Sequence, residues 1–281
     1  MYLQITTRCN MTCAHCAHAC TTKGEDMKLN WAEKAMDEAD DNGDGITIGG
    51  GEPTMHPKFW EILAYAVKTL DYAEFQRPFI ITNGKRTEDA LALAWLADHG
   101  IVSAHISRDD FHDSISQKVI DAFNPKHRCG WQEFKHVPKS MAHALGYDEI
   151  CEIIDMQQLE DEDAEEENRE PREITAEDAL ENFWETLNDR LESRNSELGI
   201  EKGYWTVKKI RARGRGKNIS GAEDDCVGCG IHVSPDGVWQ CACKRLKLAD
   251  DVWCDFYDLT PNHTECSESE YFQEALELQT V

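Results

Sequence analysis

Four times in its first 123 residues the chain passes from a short apolar run to a longer segment with helical periodicity. The first expected strand is Leu3–Thr6, and the helix after it covers Trp31–Asp41, with Asn30 as N-cap and Trp31, Ala35, Met36 and Ala39 facing inward. The second unit joins a strand at Gly45–Ile48 to a helix in which Phe59, Leu63, Ala66, Val67 and Leu70 recur at helical spacing. The third joins Pro78–Ile81 to a helix capped by Thr87, carrying Leu91, Ala94 and Trp95 and stopping at Gly100. The fourth joins Ile101–Ile106 to a helix opened by Ser114, with Ile115, Val119 and Ile120 on one face. This alternation predicts an α/β fold built on a parallel barrel. Functional groups in such barrels collect at the C-terminal ends of the strands. Polar or cysteine-rich stretches stand at all four of those places.

After the first strand comes Cys9-Asn-Met-Thr-Cys13-Ala-His-Cys16, three cysteines spaced C-x3-C-x2-C. Three thiolates within reach of one point are soft ligands for an iron–sulfur cluster, Zn or Cu(I), and a disulfide pair is the plainer alternative. Cys20 could close such a site, four residues on. After the second strand comes Gly50-Gly51-Glu52-Pro53, where glycine lets the backbone approach a ligand closely. The third strand ends in Thr82-Asn83-Gly84 and the fourth in Ser107-Arg-Asp109-Asp110-Phe-His112. Taken singly, Asn83, Ser107 and Asp109 suit a turn or cap. His105 suits a core histidine with a satisfied hydrogen bond. Asp110 and His112 are candidate acid–base groups facing a substrate.

Beyond residue 123 the expected pieces are a fifth strand at Trp131–Val137, a short helix at Pro138–Leu145 and a solvated, mobile acidic loop over 155–174. A capping box at Thr175–Asp178 opens a helix burying Leu180, Phe183, Trp184, Leu187 and Leu191. Tyr204–Arg211 alternates like a final strand, and the basic stretch from Lys208 to Lys217 contains Arg213, suited to holding a carboxylate or other anion. Cys226-Val-Gly-Cys229 and Cys241-Ala-Cys243 flank a hairpin that turns at Pro235-Asp-Gly237, an arrangement able to hold Zn or an iron–sulfur cluster. Cys254 or Cys266 could supply a replacement ligand, and Cys129 and Cys151 suit ordinary buried thiols.

The run Ile5–Cys16 together with Gly50-Gly51-Glu52-Pro53 resembles the cluster loop and second-strand motif of radical S-adenosylmethionine (SAM) enzymes. The resemblance implies a partial (β/α)6 TIM-like barrel over residues 1–220 and a small cysteine-rich extension over 221–281. It implies that Cys9, Cys13 and Cys16 hold a [4Fe–4S] cluster with one open iron. Gly50, Gly51, Glu52, Asn83, Ser107, Asp109 and Arg213 would contact SAM. The implied chemistry is reductive cleavage of SAM to methionine and a 5′-deoxyadenosyl radical, which abstracts hydrogen from a substrate, with electrons from a donor such as flavodoxin or ferredoxin. The tail is similar to SPASM or twitch extensions, which carry auxiliary clusters. It departs from the full SPASM pattern in its shorter glycine-to-cysteine spacing and in having too few cysteines for two clusters.

The tail supports a peptide substrate, as for a peptide maturase. The basic stretch instead supports a nucleotide or nucleic-acid base, and a noncatalytic iron–sulfur sensor is the reading from another class. At 281 residues one barrel with an appendage is affordable. Twelve cysteines without a secretory leader imply a reducing, cytoplasmic setting. No apolar run approaches the ~20 residues of a membrane helix. The net charge, 29 − 54 = −25, disfavours nonspecific duplex binding.

Overall fold

Strands β1 (Tyr2–Thr6), β2 (Thr47–Gly50), β3 (Phe79–Thr82) and β4 (Ser103–Ser107) lie side by side in chain order, each parallel to the next. The helices between them are α1 (Leu29–Asp41), α2 (Phe59–Leu70) and α3 (Thr87–Asp98), and α4 (Gln117–Ala122) follows β4. Right-handed crossovers between successive neighbours put these helices on one face of the sheet. The structure, a computed structural model, describes residues 1–70, 77–129, 137–195, 202–205, 215, 218, 220, 230–239, 247–253 and 257.

The register explains how the core and the site divide. Leu3 lies opposite Ile48, Ile48 opposite Ile80, and Ile80 opposite Ala104, and all four are fully buried. Their row faces one side of the sheet. Neighbouring positions along each strand face the other side, where Tyr2 and Ile81 line a cavity. Helix α3 is buried from Ala90 to Ala97 apart from Leu91, because it packs against more than the sheet. Trp184, on α7 (Ala176–Asn195), sets its ring edge-on to Trp95 at 5.8 Å between centroids.

Two departures from the expected strand plan shape the site. The neighbour of β4 is β5 (Lys202–Trp205), at the start of what the sequence offers as its final strand. The expected fifth strand, Trp131–Val137, lies outside the described residues except for Val137. The Lys202 ammonium meets Asp98 at 2.6 Å, both side chains 3% exposed, which ties the entry of β5 to the end of α3. At the opposite edge β6 (His232–Ser234) runs parallel to β1, and β7 (Gly237–Trp239) and β8 (Lys247–Ala249) continue antiparallel. The order is therefore β5-β4-β3-β2-β1-β6-β7-β8, a partial barrel of six parallel strands with an antiparallel hairpin at one edge. Residues on both sides of the expected boundary at 220 share this sheet.

The segment expected as an acidic loop is helical as far as Glu167 and a loop only beyond it. Short α5 (Lys139–Ala144) precedes α6 (Glu149–Glu167), which spans Glu160-Asp-Glu-Asp-Ala-Glu-Glu-Glu167. Glutamate is a good helix former, and the ends are fixed. Asp148 accepts the amides of Ile150 and Cys151, while Asn168 closes the helix at φ 52°. Arg169 pairs with Glu160 and Glu167, offsetting the crowding of like charge. Ala164 is the helix's buried contact and Cys151 is exposed, contrary to its expected burial. The capping box at Thr175 and Asp178 forms as expected, with reciprocal bonds of 2.8 and 3.3 Å. Asn30 lies inside α1, whose cap position is Lys28. His105 sets its ring against Phe79, and its Nδ1 has no hydrogen-bond partner among the described residues, so the expected core bond is missing. No described helix is long and apolar enough to cross a membrane.

Candidate active site

The cysteine loop leaves β1 and is held against the second strand by a strip of glycine. Gly51 donates its amide to Thr6 and Glu52 donates to Arg8, each at 2.8 Å. A Cβ on Gly51 would stand 2.3 Å from the Arg8 carbonyl oxygen and 2.8 Å from Cys9 Cβ, so only glycine lets the loop lie there. On its far side the loop is tied back by Cys9 N to Thr21 O and Thr7 N to Glu25 O, both 2.8 Å.

Within the loop, Cys9, Cys13 and Cys16 are free thiols that line one cavity of about 290 Å³. Met11 N donates to Cys9 Sγ at 3.4 Å, and Asn83 Nδ2 donates to the same sulfur at 3.7 Å and to Asn10 Oδ1 at 2.8 Å. Burial pushes the Cys9 thiol up; burial, then the charges of Cys9 and Cys16, push Cys13 up to about 11. Cys9 and Cys13 resist deprotonation chiefly because they are buried, and with Cys16 they form a three-sulfur donor set that a metal would complete, since a bound cation replaces thiol protons. The residues therefore fit an iron–sulfur cluster.

Cys20 is brought back against the loop by Ala19, which adopts a left-handed φ of 51°. It donates its S–H to Cys16, holding the Cys16 thiol down and its own up. Cys20 is 2% exposed, touches Gln4 at 3.9 Å and does not line the cavity. It stands behind the loop, where it supports Cys16.

The ends of the other strands complete the cavity. Gly50, Gly51, Asn83, Ser107 and His112 line it, as the sequence suggests. Glu52 does not. Its carboxylate is fully buried and accepts from Thr54 N, Thr54 Oγ1, Thr82 Oγ1 and Asn83 N at 2.6–3.2 Å, so it fastens the ends of β2 and β3 and aims Asn83. Asp109 stands behind His112, with its Oδ1 2.7 Å from His112 Nδ1, and lies 3.8 Å from His15 Nε2. Burial alone would raise Asp109, but the Phe111 amide and the two histidines outweigh it and hold it below the ordinary range. Asp110 is exposed and outside the cavity lining, so it lacks the place expected of a catalytic group. Arg213, Cys226, Cys229, Cys241, Cys243, Cys254 and Cys266 lie outside the described residues.

Three contributors escape a reading by motif. Trp205 ends β5 on the cavity, which follows only once β5 is known to lie beside β4. His15 lies between two of the cysteines, and its position in the loop is the signal that could have found it. Arg215 reaches the loop from the far end of the chain, donating Nε to Cys13 O at 2.9 Å, a terminal nitrogen to Cys20 O at 2.7 Å and its amide to Cys16 O at 2.9 Å.

Residues 3–156, more than half of the chain, match the family model described as "Radical SAM superfamily". The mycofactocin maturase MftC of Mycobacterium ulcerans (strain Agy99) is 32% identical over 121 residues, covering 42% of this chain and 31% of that protein. MftC of Mycolicibacterium smegmatis is 29% identical over 118 residues, 41% of this chain and 29% of that protein. The match thus spans about a third of the length of these relatives. A crystal structure of Streptococcus suis SuiB bound to S-adenosylmethionine aligns at TM-score 0.40 and 14% identity, over 97% of this chain and 66% of that one. With its three thiols on one cavity and the family match across the first four strands, the chain belongs to the radical SAM superfamily.

Proposed function

We propose that the chain is a peptide-modifying radical SAM enzyme. The observation that carries this is the convergence of Cys9, Cys13 and Cys16 with Gly50, Gly51, Asn83, Ser107 and His112 on one cavity. The three cysteines would hold a [4Fe–4S] cluster, and the glycine backbone, Asn83 and Ser107 would meet SAM. With both bound, the chemistry supplied is reductive cleavage of SAM followed by hydrogen abstraction from an unreactive carbon. The chain's own part is to hold and orient. The Met11 amide and Asn83 donate to the Cys9 sulfur, which stabilises negative charge there. Asp109 fixes the His112 proton on Nδ1 and leaves Nε2 to accept or return a proton at the substrate.

A peptide substrate is supported by the relatives, which are named maturases, and by the order of cysteines around the β6–β7 hairpin. The nucleotide alternative drew on the basic stretch from Lys208 to Lys217. Of its cations the structure describes Arg215, and that guanidinium is engaged by the cysteine loop. We place the protein in the cytoplasm, with a flavodoxin- or ferredoxin-type electron donor and an auxiliary iron–sulfur cluster or Zn on the C-terminal cysteines.

The test is anaerobic reconstitution, reduction with dithionite and measurement of 5′-deoxyadenosine, with and without a precursor peptide. The expected result is SAM-dependent 5′-deoxyadenosine in the wild type, and loss of at least tenfold together with the cluster iron in Cys13→Ala. Wild-type iron content and SAM cleavage in that variant would sink the assignment.

A further inference from the structure

We infer that Arg215 is the positioning residue of the cluster loop, shaping it through three carbonyls and setting its positive charge against the cysteine sulfurs. The inference rests on the reading of Cys9, Cys13 and Cys16 as cluster ligands. It starts from the hydrogen bonds. Arg215 lies 202 residues from Cys13 in the chain, yet its Nε donates to Cys13 O at 2.9 Å and a terminal nitrogen to Cys20 O at 2.7 Å. Its amide adds Cys16 O at 2.9 Å. One residue therefore takes up three carbonyls spread along Cys13–Cys20.

The loop needs such a tie. Its own backbone closes only wide turns there, Cys16 N to Cys13 O at 3.2 Å and Ala19 N to Cys16 O at 3.4 Å, against which the Arg215 bonds of 2.7–2.9 Å are short. Ala19 holds a left-handed φ of 51° that alanine rarely adopts, so the surroundings must enforce it. The rigid fork of a guanidinium can serve two carbonyls in fixed directions, which an ammonium point charge does poorly.

Charge makes the second half of the case. In a chain of net charge −25, the Arg215 guanidinium pairs with no carboxylate among the described residues. It borders the cavity that Cys13 and Cys16 line. An unneutralised cation beside a thiolate-bound cluster favours the reduced, more negative state, because local charge is one of the levers that set cluster potential.

The experiment uses the full chain, reconstituted anaerobically, as wild type, Arg215→Gln and Arg215→Lys. The readouts are the one-electron midpoint of the cluster by EPR titration without SAM and the rate of iron release to a chelator. Arg215→Gln is expected to lower the midpoint so that the reduced-to-oxidised ratio at a fixed potential falls about tenfold, equivalent to about 59 mV. It should also release iron about tenfold faster. Arg215→Lys keeps the charge but not the fork, so its midpoint should stay near wild type while iron release accelerates. A midpoint unchanged in Arg215→Gln, or iron release at the wild-type rate in Arg215→Lys, overturns the inference. If Arg215→Gln does not fold by circular dichroism, iron release from Arg215→Lys decides. Failure of the cluster reading itself shows separately, as no SAM-sensitive iron–sulfur signal in the wild type.

Discussion

Burying a carboxylate costs free energy unless donors surround it, and Glu52 illustrates how this site meets that cost. Four donors from Thr54, Thr82 and Asn83 converge on two oxygens with no exposure to water. Burial still raises its pKa, against the opposing hydrogen bonds. The motif that carries Glu52 resembles one that meets SAM. The structure places Gly50 and Gly51 on the cavity, while the Glu52 carboxylate locks two strand ends together. Glu52→Gln would turn an NH2 group against existing donors, and we expect a loss of about 2 kcal/mol in unfolding free energy, measured by urea denaturation. Asn83 should lose its orientation in the same variant, since its amide is held by Glu52 at 2.6 Å.

Among the elements, the short 3-10 turn at Pro53–Met55 links the glycine strip to α2, and His56 closes it. His56 Nε2 lies 2.8 Å from Met27 O and its Nδ1 accepts the Lys58 amide at 3.0 Å, which fixes a neutral ring with its proton on Nε2. Burial lowers its pKa, opposed only in part by the Met27 carbonyl. Below about pH 6.5 the unfolded chain binds a proton at this histidine before the folded chain does. Its contribution to stability is therefore present above that pH and lost as pH falls towards the folded value. We expect unfolding free energy to decline between pH 7.5 and 5.5, with a shallower decline in His56→Gln, followed by denaturant titration at each pH. In α6 a similar local logic governs: propensity, a cap and Arg169 make a helix where charge density alone suggested a mobile loop.

For the whole molecule, a net charge of −25 means mutual repulsion that opposes compaction. Salt screens it over a Debye length of about 8–10 Å at physiological strength. Exposed ion pairs such as Arg169–Glu160 weaken too, but they contribute little. A rise from 20 to 500 mM NaCl should therefore raise Tm by about 2–4 °C, read by differential scanning fluorimetry.

What the sequence determined by itself was local and periodic. Strand–helix alternation named β1 to β4 and their helices because each element's burial pattern is written within a dozen residues. The cysteine spacing and the strand-end stretches located most of the cavity, because a parallel barrel gathers its strand ends on one side. Tertiary structure decided what depends on distant partners. Lys202 finds Asp98 and makes residues 202–205 the neighbour of β4. His232–Ser234 joins β1 at the other edge. Arg215 bonds the cysteine loop at Cys13 and Cys20, beyond the ties that nearby Thr21 and Glu25 supply. These contacts are separated by roughly one to two hundred residues, and no local pattern encodes them; they are fixed only when the sheet closes around the loop and buries its polar groups in one another's reach.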